Sequence, residues 1–98
     1  MATTKKKLKT YAWDPARYLK TEDDIVAYLN AALEEGDPAI VAAVLGDVAR
    51  SLGMAKIAKR TGLGRESLYK SLSKDGNPKV ETLMKVVHAL GLRLKVAA

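Results

Sequence analysis

Between Arg65 and Lys70 five polar side chains are interrupted by a single leucine: Arg65, Glu66, Ser67, Tyr69 and Lys70. A guanidinium, an ammonium and two hydroxyls on one short stretch are donors suited to nucleic acid. Arginine can take a guanine bidentately, and lysine offers a point charge to the phosphate backbone. Arg65 and Ser67 are each open to base or phosphate contact, whereas Tyr69 and Lys70 favour the backbone. Glu66 reads as an i to i+4 support for Lys70. The candidate DNA-binding residues are therefore Arg65, Ser67, Tyr69 and Lys70. Catalytic chemistry has no comparable constellation. His88 is the one histidine and there is no cysteine, so neither a metal site nor a cofactor is expected and His88 reads as an ordinary packed or solvated side chain. Glu22, Asp23, Asp24, Glu34 and Glu35 are close in sequence, but helix-end charge placement accounts for them without a catalytic pair. With no glycine-rich phosphate loop and no activated nucleophile motif, an enzyme is not expected.

The bulk properties agree with a nucleic-acid partner without requiring one. The 98 residues are 48% hydrophobic and 29% charged, with a formal charge of +6 and a sequence pI near 9.7. Each lysine or arginine set on a phosphate releases condensed counterions, so this balance is the footprint of a DNA binder. No apolar run approaches the ~18 residues that cross a bilayer, so no membrane partner is expected and a cytoplasmic address is.

The elements that must position these side chains are helical. Residues 1–20 read as an extended N-terminal arm, with Lys5, Lys6, Lys7 and Lys9 either following phosphates or forming a solvated tail. Trp13, Tyr11 and Tyr18 could anchor a partner or staple the arm to its own domain. Residues 21–98 read as a single helical domain. Thr21 caps a first helix that opens on three acids, buries Ile25, Leu29, Ala32 and Leu33, and stops at Gly36. Asp37 and Pro38 start a second, with Val41, Val44, Leu45 and Val48 as its stripe up to Gly53. A short helix from Met54, a break at Gly62-Leu63-Gly64 and a helix from Arg65 to about Ser73 then form a helix-turn-helix at 54–72. In it Ala58 must be small where the helices cross, Gly62 takes the positive φ of the turn, and Ile57, Leu63 and Leu68 hold the pair together. The second of these helices is the recognition helix. Asp75 to Pro78 make a turn, and Val80, Leu83, Met84, Val87 and Leu90 trace the face of a closing helix ending at Gly91. Leu92, Leu94 and Val96 alternate with Arg93 and Lys95 at the period of a strand; it either pairs with the same segment of a second copy, giving an isologous homodimer, or is a docked or disordered tail.

Ile57-Ala58, Gly62-Leu63, Arg65 to Tyr69, Asn77-Pro78, Glu81 to Leu83 and Ala89 to Leu92 resemble the lambda-repressor-like helix-turn-helix class. Ser71 departs from that pattern, which has a large apolar residue there; here Leu72 follows one position later. In the first half, Asp14 to Ala16, Tyr18-Leu19, Asp24-Ile25, Tyr28 to Ala32 and Glu35 to Pro38 resemble the probable addiction-module antidote proteins, the antitoxins of two-gene toxin-antitoxin systems. Together the resemblances span most of the chain. They imply an all-α, five-helix lambda-repressor-like domain with an N-terminal arm and a short C-terminal strand. They also imply a small toxin partner, in related modules usually mRNA-cleaving, and repression of the chain's own operon at palindromic double-stranded DNA. On the same resemblance, Trp13 and Tyr18, within Lys9 to Glu35, are the expected toxin contacts. Two other readings stay open: a free-standing helix-turn-helix regulator without a toxin, and a protein-interaction module that binds no operator.

Overall fold

A computed structural model describes Leu19 and residues 21–98 of the chain. Five helices follow in order: α1 (Glu22–Glu35), α2 (Pro38–Leu52), α3 (Met54–Thr61), α4 (Arg65–Ser71) and α5 (Val80–Ala89). The described part is mostly helical, as expected. The arm with Trp13 and Tyr18 lies outside the described residues.

The helix starts follow local chemistry. The Thr21 hydroxyl accepts from the Asp24 N–H at 3.1 Å while the Asp24 carboxylate accepts from the Thr21 N–H at 3.2 Å, a reciprocal cap on α1. Asp37 caps α2 by accepting from the Ala39 N–H at 2.9 Å, with Pro38 in the first position, where its missing N–H has no cost. Such caps each contribute about 1 kcal/mol. A single residue, Gly53, separates α2 from α3, so the two apolar faces meet at a sharp corner.

One core collects a stripe from every helix. Leu45, Val48, Ile57, Leu68, Leu72 and Val86 are its fully buried side chains; each is worth roughly 1.5–3 kcal/mol of transfer free energy. Leu19 is buried with them, so the chain is already anchored just ahead of α1. Gly46 marks the closest backbone approach. A Cβ there would lie 2.2 Å from the Leu72 carbonyl oxygen, so α2 admits no larger side chain where the end of α4 crosses it.

Three expectations are adjusted by this packing. Leu33 on α1 and Met84 and Val80 on α5 are exposed rather than part of the core, and α5 instead buries Val86, Val87 and Ala89. Periodicity alone counted both edges of each apolar stripe; the core covers only its centre. Helix α4 ends at Ser71, two residues early, because Leu72 leaves helical geometry at φ −97° and ψ 54° to fill the core. Residues 92–98 join no helix and no strand in the single chain. A ladder needs a second edge, and among the described residues none is supplied. Instead the Leu92 N–H bonds the Val87 carbonyl at 3.1 Å, folding the start of the segment back onto α5.

Candidate nucleic-acid interface

Helix α4 is held from beneath. Leu68 and Leu72 are fully buried, and Leu63 packs against the same cluster. With Leu68 pointing inward, the helical period turns Glu66 and Lys70 directly outward, Arg65 and Tyr69 to one flank and Ser67 to the other. All five are exposed. The structure thus brings Arg65, Ser67, Tyr69 and Lys70 to one solvent-facing helix. It does not pair Glu66 with Lys70: among the described residues the ion pairs are Arg50 with Asp47, and Lys85 with Glu81. Both side chains are exposed and lie apart. Glu66 therefore stands as an acceptor in the middle of the exposed face.

The turn that aims α4 is fastened by a residue the sequence reading did not single out. The Thr61 hydroxyl donates to the Ile57 carbonyl at 2.9 Å and accepts from the Leu63 N–H at 3.2 Å. Gly62 has φ 76°, the left-handed conformation expected of it, and its N–H bonds the Ala58 carbonyl at 2.9 Å. A threonine between a helix end and Gly-Leu-Gly was the available signal. On the far side of α4, Gly76 passes so close that a Cβ would sit 2.0 Å from the Ser71 carbonyl oxygen. The following loop therefore hugs the end of the helix, and Lys74 and Lys79 in it are exposed.

Not every cation near the site is free for a ligand. The Arg60 guanidinium donates to the Ala89 carbonyl at 2.8 Å and ties α3 to the end of α5. Exposed His88 lies beside Arg60 and Lys85 along a shallow cleft, and no cluster of metal-binding side chains exists among the described residues.

Charge is divided along the fold. Residues 21–49 hold seven carboxylates and no lysine or arginine, while residues 50–98 hold eleven lysines and arginines against three carboxylates. The α3–α4 end is thus the one that favours phosphate, and α1 with most of α2 repels it. A separate polar joint closes the acidic end. The Tyr28 hydroxyl donates to Asp47 at 2.8 Å, and Arg50 pairs with the other carboxylate oxygen. Burial, reinforced by the bond to Asp47, pushes the Tyr28 phenol well above its ordinary value.

An all-helical domain with one short basic helix standing out from its core is the class defined by these features. The chain belongs to the family described as probable addiction module antidote protein, whose model matches residues 9–98. An uncharacterized protein of Haemophilus influenzae is 44% identical over 84 residues, covering 86% of this chain and 87% of the relative. No solved structure matches the chain significantly. The family is one of antidotes rather than of enzymes, and no described helix is long and apolar enough to cross a membrane.

Proposed function

We propose that this chain is the antitoxin of a type II toxin-antitoxin module, neutralising a small, mRNA-cleaving toxin and repressing its own operon through α4. The observation that carries the DNA-binding part is the exposed Arg65, Ser67, Tyr69 and Lys70 face seated on buried Leu68 and Leu72, at the basic end of a chain with segregated charge. Family membership supports the antitoxin part. In this reading the helix-turn-helix at 54–72 docks in the lambda-repressor manner. Two copies, paired through residues 92–96 as strands, present their α4 helices to successive major grooves about 34 Å apart, and the operator repeats that twofold symmetry. Lysines and arginines on phosphates supply affinity; the first turn of α4 supplies sequence choice.

The test is a titration of the purified chain on its own upstream DNA at two salt concentrations, with scrambled DNA of equal length beside it. Binding that favours the upstream fragment and falls steeply with salt is expected. Equal, weak binding to both fragments removes the repressor reading and leaves a protein-interaction module. The toxin contact is assigned to the N-terminal half, with Trp13 and Tyr18 as aromatic anchors. Replacing both by alanine weakens toxin binding and spares DNA binding; loss of DNA binding alone overturns the assignment.

A further inference from the structure

An apolar feature lies where the acidic segment meets α5 and the residues that follow it. Helices α1, α2 and α5 and the first residues after α5 enclose a recess of about 90 Å³, lined among others by Val26, Leu33, Leu45, Val87 and Leu94. Three of these are exposed large hydrophobics: Val26 at 37%, Leu33 at 46% and Leu94 at 43%. Val80 and Met84 on α5 extend the patch, since they share a stripe with Leu83 and Val87, which line the recess. Such a contiguous apolar patch on one face marks a contact surface, and its volume suits one or two aliphatic side chains rather than a cofactor.

What borders the recess names its occupant. On α1 the helical period sets Glu22 in line with Val26, Leu29 and Leu33, and sets Asp23 and Glu34 in line with Asn30. Both lines face the recess, as Val26, Leu29, Asn30 and Leu33 all line it. Three exposed carboxylates thus flank the apolar floor on its α1 wall, and Arg93 is the charged residue on the wall opposite. This border repels nucleic acid. An antiparallel twofold pairing centred on α1 would set Glu22 and Asp23 against Glu34 of the second copy, which disfavours a second chain seated in that way.

We propose that this recess is the docking site of a basic protein partner, which inserts an aliphatic side chain between Val26, Leu33 and Leu94 and sets lysines or arginines against Glu22, Asp23 and Glu34. The assignment rests on the antitoxin reading and identifies the partner with the toxin, whose main anchorage then lies on the helical body as well as on the arm. No residue of α3 or α4 contributes to the recess.

The probe is the purified product of the reading frame adjoining the gene for this chain, titrated calorimetrically against three full-length proteins: wild type, Val26→Thr with Leu33→Gln, and Glu22→Gln with Asp23→Asn and Glu34→Gln. None of the five residues is core or a cap, so melting profiles verify the fold of each variant. The apolar pair is expected to lose about tenfold or more in affinity at any salt concentration. The charge triple is expected to lose about tenfold at low salt and little at high salt, where exposed charges are screened. Variants that bind as tightly as wild type overturn the recess assignment alone. Failure of the wild-type chain to bind the probe overturns the antitoxin reading and the assignment with it. Light scattering on the same samples adds a third arm: dissociation of a homodimer by the apolar pair, with partner affinity intact, gives the recess to a second copy instead.

Discussion

At the scale of single residues, the exposed face of α4 separates side chains by the task each can perform. On the proposed reading, Arg65 on the first turn reaches base edges and Lys70 at the other end meets a backbone phosphate. Arg65→Ala is expected to relax sequence preference, with a loss of about 1–3 kcal/mol on the preferred site and much less on scrambled DNA. Lys70→Ala should weaken binding to both DNAs alike and lower the slope of log affinity against log salt by about one. Parallel titrations of the two variants distinguish reading from anchoring. Equal losses on both DNAs for Arg65→Ala would make it a phosphate contact. In the same proposed docking, the outward Glu66 carboxylate between Arg65 and Lys70 accepts from a cytosine amino group or repels a phosphate set against it.

Among the elements, the joint between α1 and α2 is polar, partly buried and sensitive to pH. Tyr28 donates to an Asp47 carboxylate that is also held by Arg50. Burial first, and then the neighbouring carboxylate, keep the Tyr28 phenol protonated well past its ordinary value of 10. A group whose pKa is raised on folding contributes its stability in full below the unfolded value and loses it as pH rises from there towards the folded one. The joint is therefore intact at neutral pH and weakens above about pH 10. In an absorbance titration Tyr28 should ionise well above the ordinary tyrosine range, and urea unfolding should show stability falling across the alkaline range. Tyr28→Phe removes that dependence and costs about 1 kcal/mol at neutral pH, the net worth of one hydrogen bond. An unchanged alkaline slope in the variant would show that Tyr28 does not report on the joint.

Across the described helices, carboxylates are concentrated in residues 21–49 and cations in residues 50–98. A phosphate backbone and a basic protein are attracted to different ends, and the recess shares no residue with α3 or α4. On the proposed function, toxin and operator should therefore bind one chain at once. A ternary complex is expected as a further slow band when the toxin is added to the antitoxin bound to its upstream DNA. Release of free DNA at saturating toxin, with no such band, would mean that the two surfaces overlap or are antagonistic.

Much of this architecture is legible in the chain itself because it rests on local physics. Thr21, Asp37 with Pro38, and Gly62 act within a few residues of themselves, so the starts of α1 and α2 and the tight turn before α4 follow from residue type and spacing. Arg65, Ser67, Tyr69 and Lys70 could be assigned to the exposed surface of one helix because its single leucine, Leu68, takes the buried position. What needed the tertiary structure is what depends on distant chain meeting distant chain. The Tyr28–Asp47–Arg50 joint and the anchoring of Arg60 on the Ala89 carbonyl fall in this class. So do the close pass of Leu72 over Gly46 and the exposure of Leu33, Val80 and Met84. A hydrophobic period shows that a stripe is apolar; only the neighbouring helices decide which part of it is covered, and the part left uncovered on α1 and α5 borders the recess.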